Sequence, residues 1–132
     1  MGDYILIVDD EYEIREILRL MLTRVGHPIR HATNGQEALS LIREEKPAVI
    51  LLDIMMPVLD GREMFIQLRS DPALRTIPVL FISAIPRARA DLPELSIEDP
   101  LVAYLEKSDF TPHGLMEMIN GLMTRAASPN YM

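Results

Sequence analysis

Four short apolar runs, each closed by polar residues, constrain this chain more than any other feature. Residues 4–8 run into Asp9-Asp10-Glu11, residues 48–52 into Asp53, residues 77–82 into Ser83, and residues 101–105 into Glu106-Lys107. None alternates like a strand with one wet face. Each therefore reads as a strand buried on both faces, which requires a parallel sheet between two layers of helices. The intervening segments change period. Ile14, Ile17, Leu18, Met21, Leu22 and Val25 follow i, i+3, i+4, i+7, i+8, i+11, and Gly26 stops that helix. Residues 28–32 make a weaker strand candidate. Asn34 suits the cap of a second helix with Glu37 as capping-box partner, and Ala38, Leu41 and Ile42 form its apolar stripe before Pro47.

The pattern repeats. Asp60 and Glu63 precede a helix carrying Met64, Phe65 and Leu68, closed by Asp71-Pro72. Thr111-Pro112 opens the last helix, with Pro at the favoured first position and Leu115, Met118, Ile119, Leu122 and Met123 on its face. Residues 126–132 read as a frayed tail. Right-handed crossovers leave few topologies, and a doubly wound sheet of five strands is the natural one. Functional groups in such sheets gather beyond the carboxyl ends of the strands.

The bulk numbers narrow the functions. A chain of 132 residues is one domain by length. A net charge of −7 argues against nucleic-acid binding by this domain alone. There are no cysteines, which excludes a disulfide framework and a thiolate metal site and is compatible with a cytoplasmic location. No apolar run approaches the ~20 residues of a membrane helix, and the start of the chain lacks signal-peptide character. Gly2 lacks the Ser or Thr that myristoylation favours, since position 6 is Leu6.

Asp9, Asp10, Asp53, Ser83 and Lys107 should all reach the same sheet edge. Three carboxylates packed together repel and call for a cation; oxygen-only ligands suit Mg²⁺. A carboxylate can also attack phosphorus and form an aspartyl phosphate. The transferred group carries charge on three oxygens. Mg²⁺ can neutralise one, Lys107 another, and the Ser83 hydroxyl can donate to the third. Taken singly, Asp10 reads as a helix cap, Ser83 as a turn hydroxyl and Lys107 as a solvated charge. The joint pattern is harder to assign to turns alone.

The segments Ile7-Val8-Asp9-Asp10-Glu11, Asp53-Ile54-Met55-Met56-Pro57-Val58-Leu59-Asp60-Gly61, Ser83-Ala84 and Tyr104-Leu105-Glu106-Lys107 resemble the receiver domain of two-component response regulators. The resemblance runs over residues 4–122. It implies an α/β flavodoxin-like three-layer sandwich with strand order 2-1-3-4-5 and about five helices. It implies a receiver domain over residues 1–126 and a tail or linker start over 127–132. It implies that Asp53 takes phosphate from a sensor histidine kinase or phosphotransfer protein. Asp10, Asp53 and the Met55 backbone carbonyl would hold Mg²⁺ (or Mn²⁺), with Asp9 helping through water. Ser83 and Tyr104 would form a switch pair that changes the binding surface.

The chain also departs from that pattern. Pro86, Pro93 and Pro100, with no glycine between, predict a short, displaced or mobile fourth helix. The output surface, and any homodimer, is therefore not carried over from the family. Ser108 stands where proline commonly follows the lysine, so the peptide after Lys107 should be trans. Met55 and Ile85, each two residues beyond a site residue, are apolar and cannot orient a hydrolytic water, which implies slow self-dephosphorylation. His27, His31 and His113 lack metal-ligand spacing. Two competing functions remain: a receiver-like interaction module that works without phosphorylation, and an aspartate-based phosphohydrolase. The second fits poorly, because such enzymes place an Asp-x-Asp nucleophile after the first strand. The output would pass to a partner protein or to an effector domain elsewhere in a longer regulator.

Overall fold

The computed structural model describes residues 4–23, 26–96 and 98–131. Val25, expected on the first helix face, and Gly2 lie outside them. Five parallel strands form one sheet: β1 (Ile5–Val8), β2 (Ile29–Ala32), β3 (Val49–Leu52), β4 (Val79–Ser83) and β5 (Val102–Glu106). Their order is β2-β1-β3-β4-β5, as the resemblance implied. The helices are α1 (Tyr12–Leu22), α2 (Gly35–Glu44), α3 (Gly61–Ser70) and α4 (Pro112–Ala126).

Period-2 side chains divide the core into two layers. Leu6, Val8, Ile50, Leu52, Val79 and Phe81 pack with Ala38, Leu39 and Ile42 of α2 and Met64, Phe65 and Leu68 of α3. Ile5, Ile7, Val49, Leu51, Leu80 and Ile82 pack with Leu18 and Leu22 of α1 and Leu115, Ile119 and Leu122 of α4. The continuous apolar runs of β1, β3 and β4 are thus explained, since both their faces are covered; β5, expected to be buried as well, lies at the sheet edge and is only half-buried apart from Leu105. Each fully buried aliphatic or aromatic side chain contributes roughly 1.5–3 kcal/mol.

Three helices start on the expected caps. The Glu37, Glu63 and Gly114 N–H groups donate to side chains of Asn34, Asp60 and Thr111 at 2.9, 3.0 and 3.0 Å. The Glu37 carboxylate does not close a reciprocal box with Asn34; it accepts from the Thr33 hydroxyl at 2.9 Å. Asp10 is not the cap of α1. That position falls on Glu11, whose side chain makes no cap bond. After α4, residues Pro129–Tyr131 form a 3-10 turn, with the Tyr131 N–H donating to the Ser128 carbonyl at 3.0 Å, where a frayed tail was expected.

Between β4 and β5 the expected short or irregular helix is reduced to two 3-10 turns, Arg87–Arg89 and Glu94–Ser96. Two arginines of α3 fix this segment. Arg62 Nε donates to the Ala90 carbonyl at 2.7 Å, and Ala90 is fully buried. Arg69 Nε pairs with Asp99 Oδ2 at 2.7 Å, its Nη1 donates to the Ile77 carbonyl at 2.9 Å, and its guanidinium lies 4.8 Å from the Phe65 ring centre. Backbone that the prolines bar from a helix is thereby held by side chains instead. The peptide after Lys107 is trans and opens a 3-10 turn over Lys107–Asp109. Among the described residues no helix is long and apolar enough to cross a membrane.

Candidate functional site

The sheet register decides which polar residues meet. Val8 stands beside Leu52, so Asp9 and Asp53 leave adjacent strands side by side. Both stay pinned: the Asp9 N–H donates to Ala32 O at 3.1 Å and the Asp53 N–H to Val8 O at 2.9 Å. Ser83 and Glu106 are in register on β4 and β5, which brings Lys107 to the same edge. Asp9, Asp53 and Ser83 are buried, at 2, 6 and 2% exposure, while Asp10 and Glu11 face solvent.

Lys107 Nζ lies 3.2 Å from Asp9 Oδ2, 3.4 Å from Glu11 Oε1 and 3.9 Å from Asp53 Oδ2. The other Asp9 oxygen accepts the Glu11 N–H at 2.9 Å, and the other Asp53 oxygen accepts the Ile54 N–H at 2.9 Å. One oxygen of each buried carboxylate is thus held by backbone and the other faces the ammonium. The loop from β3 to α3 closes tightly over Asp53. The Gly61 N–H donates to Ile54 O at 2.8 Å, and a Cβ on Gly61 would lie 2.1 Å from the Asp53 carbonyl oxygen. Val58, in the same loop, takes φ +70°, a rare conformation for a β-branched residue.

Ser83 and Tyr104 converge on one residue. The Ile85 N–H donates to Ser83 Oγ at 3.1 Å, and the Tyr104 hydroxyl donates to the Ile85 carbonyl. The Tyr104 ring is half-buried, 6.3 Å from the Phe81 ring centre.

The cluster is short of positive charge. Burial, then the neighbouring Asp9 charge, pushes the Asp53 carboxyl up to about 7, against the pull of Lys107 and the Ile54 N–H. Burial likewise raises Asp9. Burial would lower Lys107, but the charges of Asp53, Asp9 and Glu11 together outweigh it and the ammonium is held above its ordinary value. Oxygens of Asp9, Asp10, Glu11 and Asp53 all lie within 4.8 Å of one another, with no histidine in the group. A hard oxygen set with buried, uncompensated negative charge fits Mg²⁺. A groove of about 320 Å³ lined by Asp10, Met55, Met56, Pro57, Asp60 and Arg62 opens beside it.

Every sequence-derived carboxylate and Lys107 therefore meets at one edge. Two site-forming residues were not singled out in the sequence. Glu11 reaches Lys107 across 96 positions; it entered the sequence reading only as the end of the Ile7–Glu11 segment, with no role of its own. Gly61 shapes the Asp53 turn, and it entered the sequence reading only as the last residue of the Asp53–Gly61 segment that carries the resemblance.

Residues 5–120 match the response regulator receiver domain family. The chain belongs to that family. The receiver domain is 36% identical over 124 residues to a probable transcriptional regulator ycf27 of Porphyra purpurea, across 92% of this chain and 48% of that protein. It spans about half the length of the curated relatives it matches. Among solved structures it resembles the signal receiver domain of a signal transduction histidine kinase from Syntrophus aciditrophicus, with TM-score 0.83 and 26% identity over 99% of this chain and 97% of that one. It also resembles response regulator protein TrrA of Thermotoga maritima in complex with Mg²⁺ and BeF, with TM-score 0.77 and 32% identity over 92% of this receiver domain and 99% of that chain.

Proposed function

We propose that this receiver domain takes a phosphoryl group onto Asp53 from a phosphohistidine of a sensor histidine kinase or phosphotransfer protein, and that the aspartyl phosphate changes its binding surface. The observation that carries the reading is a buried Asp53 with one oxygen held by backbone and the other facing Lys107 and an acidic, cation-demanding cluster. The Asp53 oxygen facing Lys107 attacks phosphorus while the P–N bond breaks. The electron pair goes to the ring nitrogen, and an imidazole protonated on its other nitrogen leaves neutral. Asp9, Asp10, Asp53 and the Met55 carbonyl would hold Mg²⁺, which supplies positive charge for the phosphoryl oxygens. Lys107 turns its ammonium to a second oxygen. Ser83 accepts from Ile85, so its own hydroxyl proton is available to a third.

Ser83 and Tyr104 form the switch pair in this reading. If Ser83 turns toward the phosphoryl group, Ile85 loses one of the two bonds that fix it, and the segment held by Arg62 and Arg69 feels the change. The domain is a switch that catalyses only its own modification. A receiver-like module working without phosphate is the second reading, favoured by the altered segment between β4 and β5. The relative solved with Mg²⁺ and BeF suggests the test. With Mg²⁺ already saturating, beryllofluoride, a phosphoryl stand-in, should raise the Tm of the wild type further and leave that of Asp53→Asn unmoved. No further shift in the wild type favours the phosphate-independent module.

Met55 is 65% exposed beside the site, and neither its thioether nor the Ile85 side chain can aim a water at phosphorus. The aspartyl phosphate should therefore decay slowly. Met55→Asn or Met55→Glu shortens its half-life several-fold, followed by loss of the phosphorylated mass; an unchanged decay would contradict this role.

A further inference from the structure

Lys107 does not face its proposed task squarely. Its ammonium sits nearest Asp9 and Glu11, at 3.2 and 3.4 Å, and farther from Asp53, at 3.9 Å. The Lys107 side chain is 16% exposed, whereas Glu11 is 57% exposed and stands outside the buried pair. The Glu11 backbone is fixed from both directions. Its N–H donates to Asp9 Oδ1 at 2.9 Å, and its carbonyl accepts the Arg15 N–H at 3.1 Å at the start of α1. Glu11 therefore presents its carboxylate to Lys107 from a constant origin, and it does not use that carboxylate to cap α1. An ion pair that closes no helix end and joins positions 96 apart has its consequence at Lys107.

We propose that Glu11 is a positioning residue for Lys107: it draws the ammonium toward the β1 end of the site, away from Asp53, and so slows phosphoryl uptake. The proposal rests on the phosphoacceptor reading of Asp53. It makes Lys107 a shared cation, divided between a resting partner at the rim and the incoming phosphoryl oxygen. Because the Glu11 partner is exposed and the Asp9 and Asp53 partners are buried, salt weakens the Glu11 contact first.

Glu11→Gln keeps the backbone anchors and removes the charge. With acetyl phosphate as donor, at low ionic strength and at Mg²⁺ saturating for each variant, it should accept phosphate about two- to fivefold faster than wild type, the range for an ion pair with one exposed partner. The gain should fade as salt rises, and it should vanish in a Lys107→Gln background, where there is no ammonium left to release. Persistence in that background would mean that Glu11 merely repels the anionic donor, and the proposal fails. A slower Glu11→Gln at saturating Mg²⁺ would make Glu11 a metal ligand, and the proposal fails equally. A second readout needs neither metal nor donor. The chain has two lysines, Lys46 and Lys107, so ¹³Cε labelling gives two lysine signals. Glu11→Gln should shift Lys107 and leave Lys46 in place; no movement of Lys107 overturns the contact. If the wild type takes no phosphoryl group at all, the acceptor reading fails, which is a different result from a wild type that is phosphorylated no more slowly than Glu11→Gln.

Discussion

Gly61→Ala should destabilise the protein by about 3 kcal/mol or more, the upper end of the cost of overpacking, and lower its Tm by roughly 10 °C. The added Cβ would lie 2.1 Å from the Asp53 carbonyl oxygen, 2.9 Å from Ile54 Cα and 3.0 Å from the Asp53 carbonyl carbon. All three are backbone atoms, so no side chain can rotate away. Relief requires the start of α3 to separate from the end of β3. That strains the Gly61 N–H to Ile54 O bond and the Asp60 cap together. The cost falls on the function as well, because the displaced backbone carries Asp53. Gly121→Ala is the internal contrast. Its Cβ would meet nothing nearer than Arg125 Nη1 at 3.6 Å, and in the middle of α4 alanine is worth roughly 0.5–1 kcal/mol over glycine. Urea denaturation of both variants separates the two cases; equal stabilities would contradict the close approach at Gly61.

Asp53→Asn should make the metal-free protein more stable than wild type at pH 8, and the advantage should disappear toward pH 4. The Asp53 carboxyl titrates near about 7 in the folded protein, raised by burial and by Asp9. In the unfolded chain it titrates near ~3.9. The folded state therefore binds a proton that the unfolded state has released across this window. Stability is greatest below the unfolded value and is lost as pH rises through the folded one. The full loss is about 2–4 kcal/mol from this group, and Asp9 adds to it in the same direction. Asparagine carries no such loss, and its oxygen can still accept the Ile54 N–H. Saturating Mg²⁺ should recover stability in the wild type, by about 2.7 kcal/mol at a hundredfold excess over Kd, and less in Asp53→Asn. A variant no more stable than wild type at pH 8 would mean that the cluster is not charge-strained.

Much of this was legible in the sequence for a physical reason. A strand covered on both faces must be apolar throughout, so residues 4–8, 48–52 and 77–82 announced themselves, and the polar residues ending them had to share one sheet edge. The caps Asn34, Asp60 and Thr111 are local chemistry within four residues and were readable for that reason. Pro86, Pro93 and Pro100 told that a regular helix would fail between β4 and β5. They could not tell what replaces it, because the anchors are long-range: Arg62 on Ala90 and Arg69 on Asp99 join positions 28 and 30 apart. The Glu11 contact with Lys107 was hidden in the same way. Asp10 was ambiguous between cap and ligand until the helix start fell on Glu11, which leaves Asp10 without that structural duty.

The proposed role of Asp53 as a phosphoryl acceptor dependent on a divalent cation is read from the intact mass of wild type and Asp53→Asn after incubation with Mg²⁺ and acetyl phosphate. One phosphoryl group should add to the wild type, be abolished by EDTA and be absent from Asp53→Asn. A wild type without the adduct, with donor consumption no faster than in buffer and a control receiver phosphorylated in parallel, would contradict it. So would an adduct that survives in Asp53→Asn.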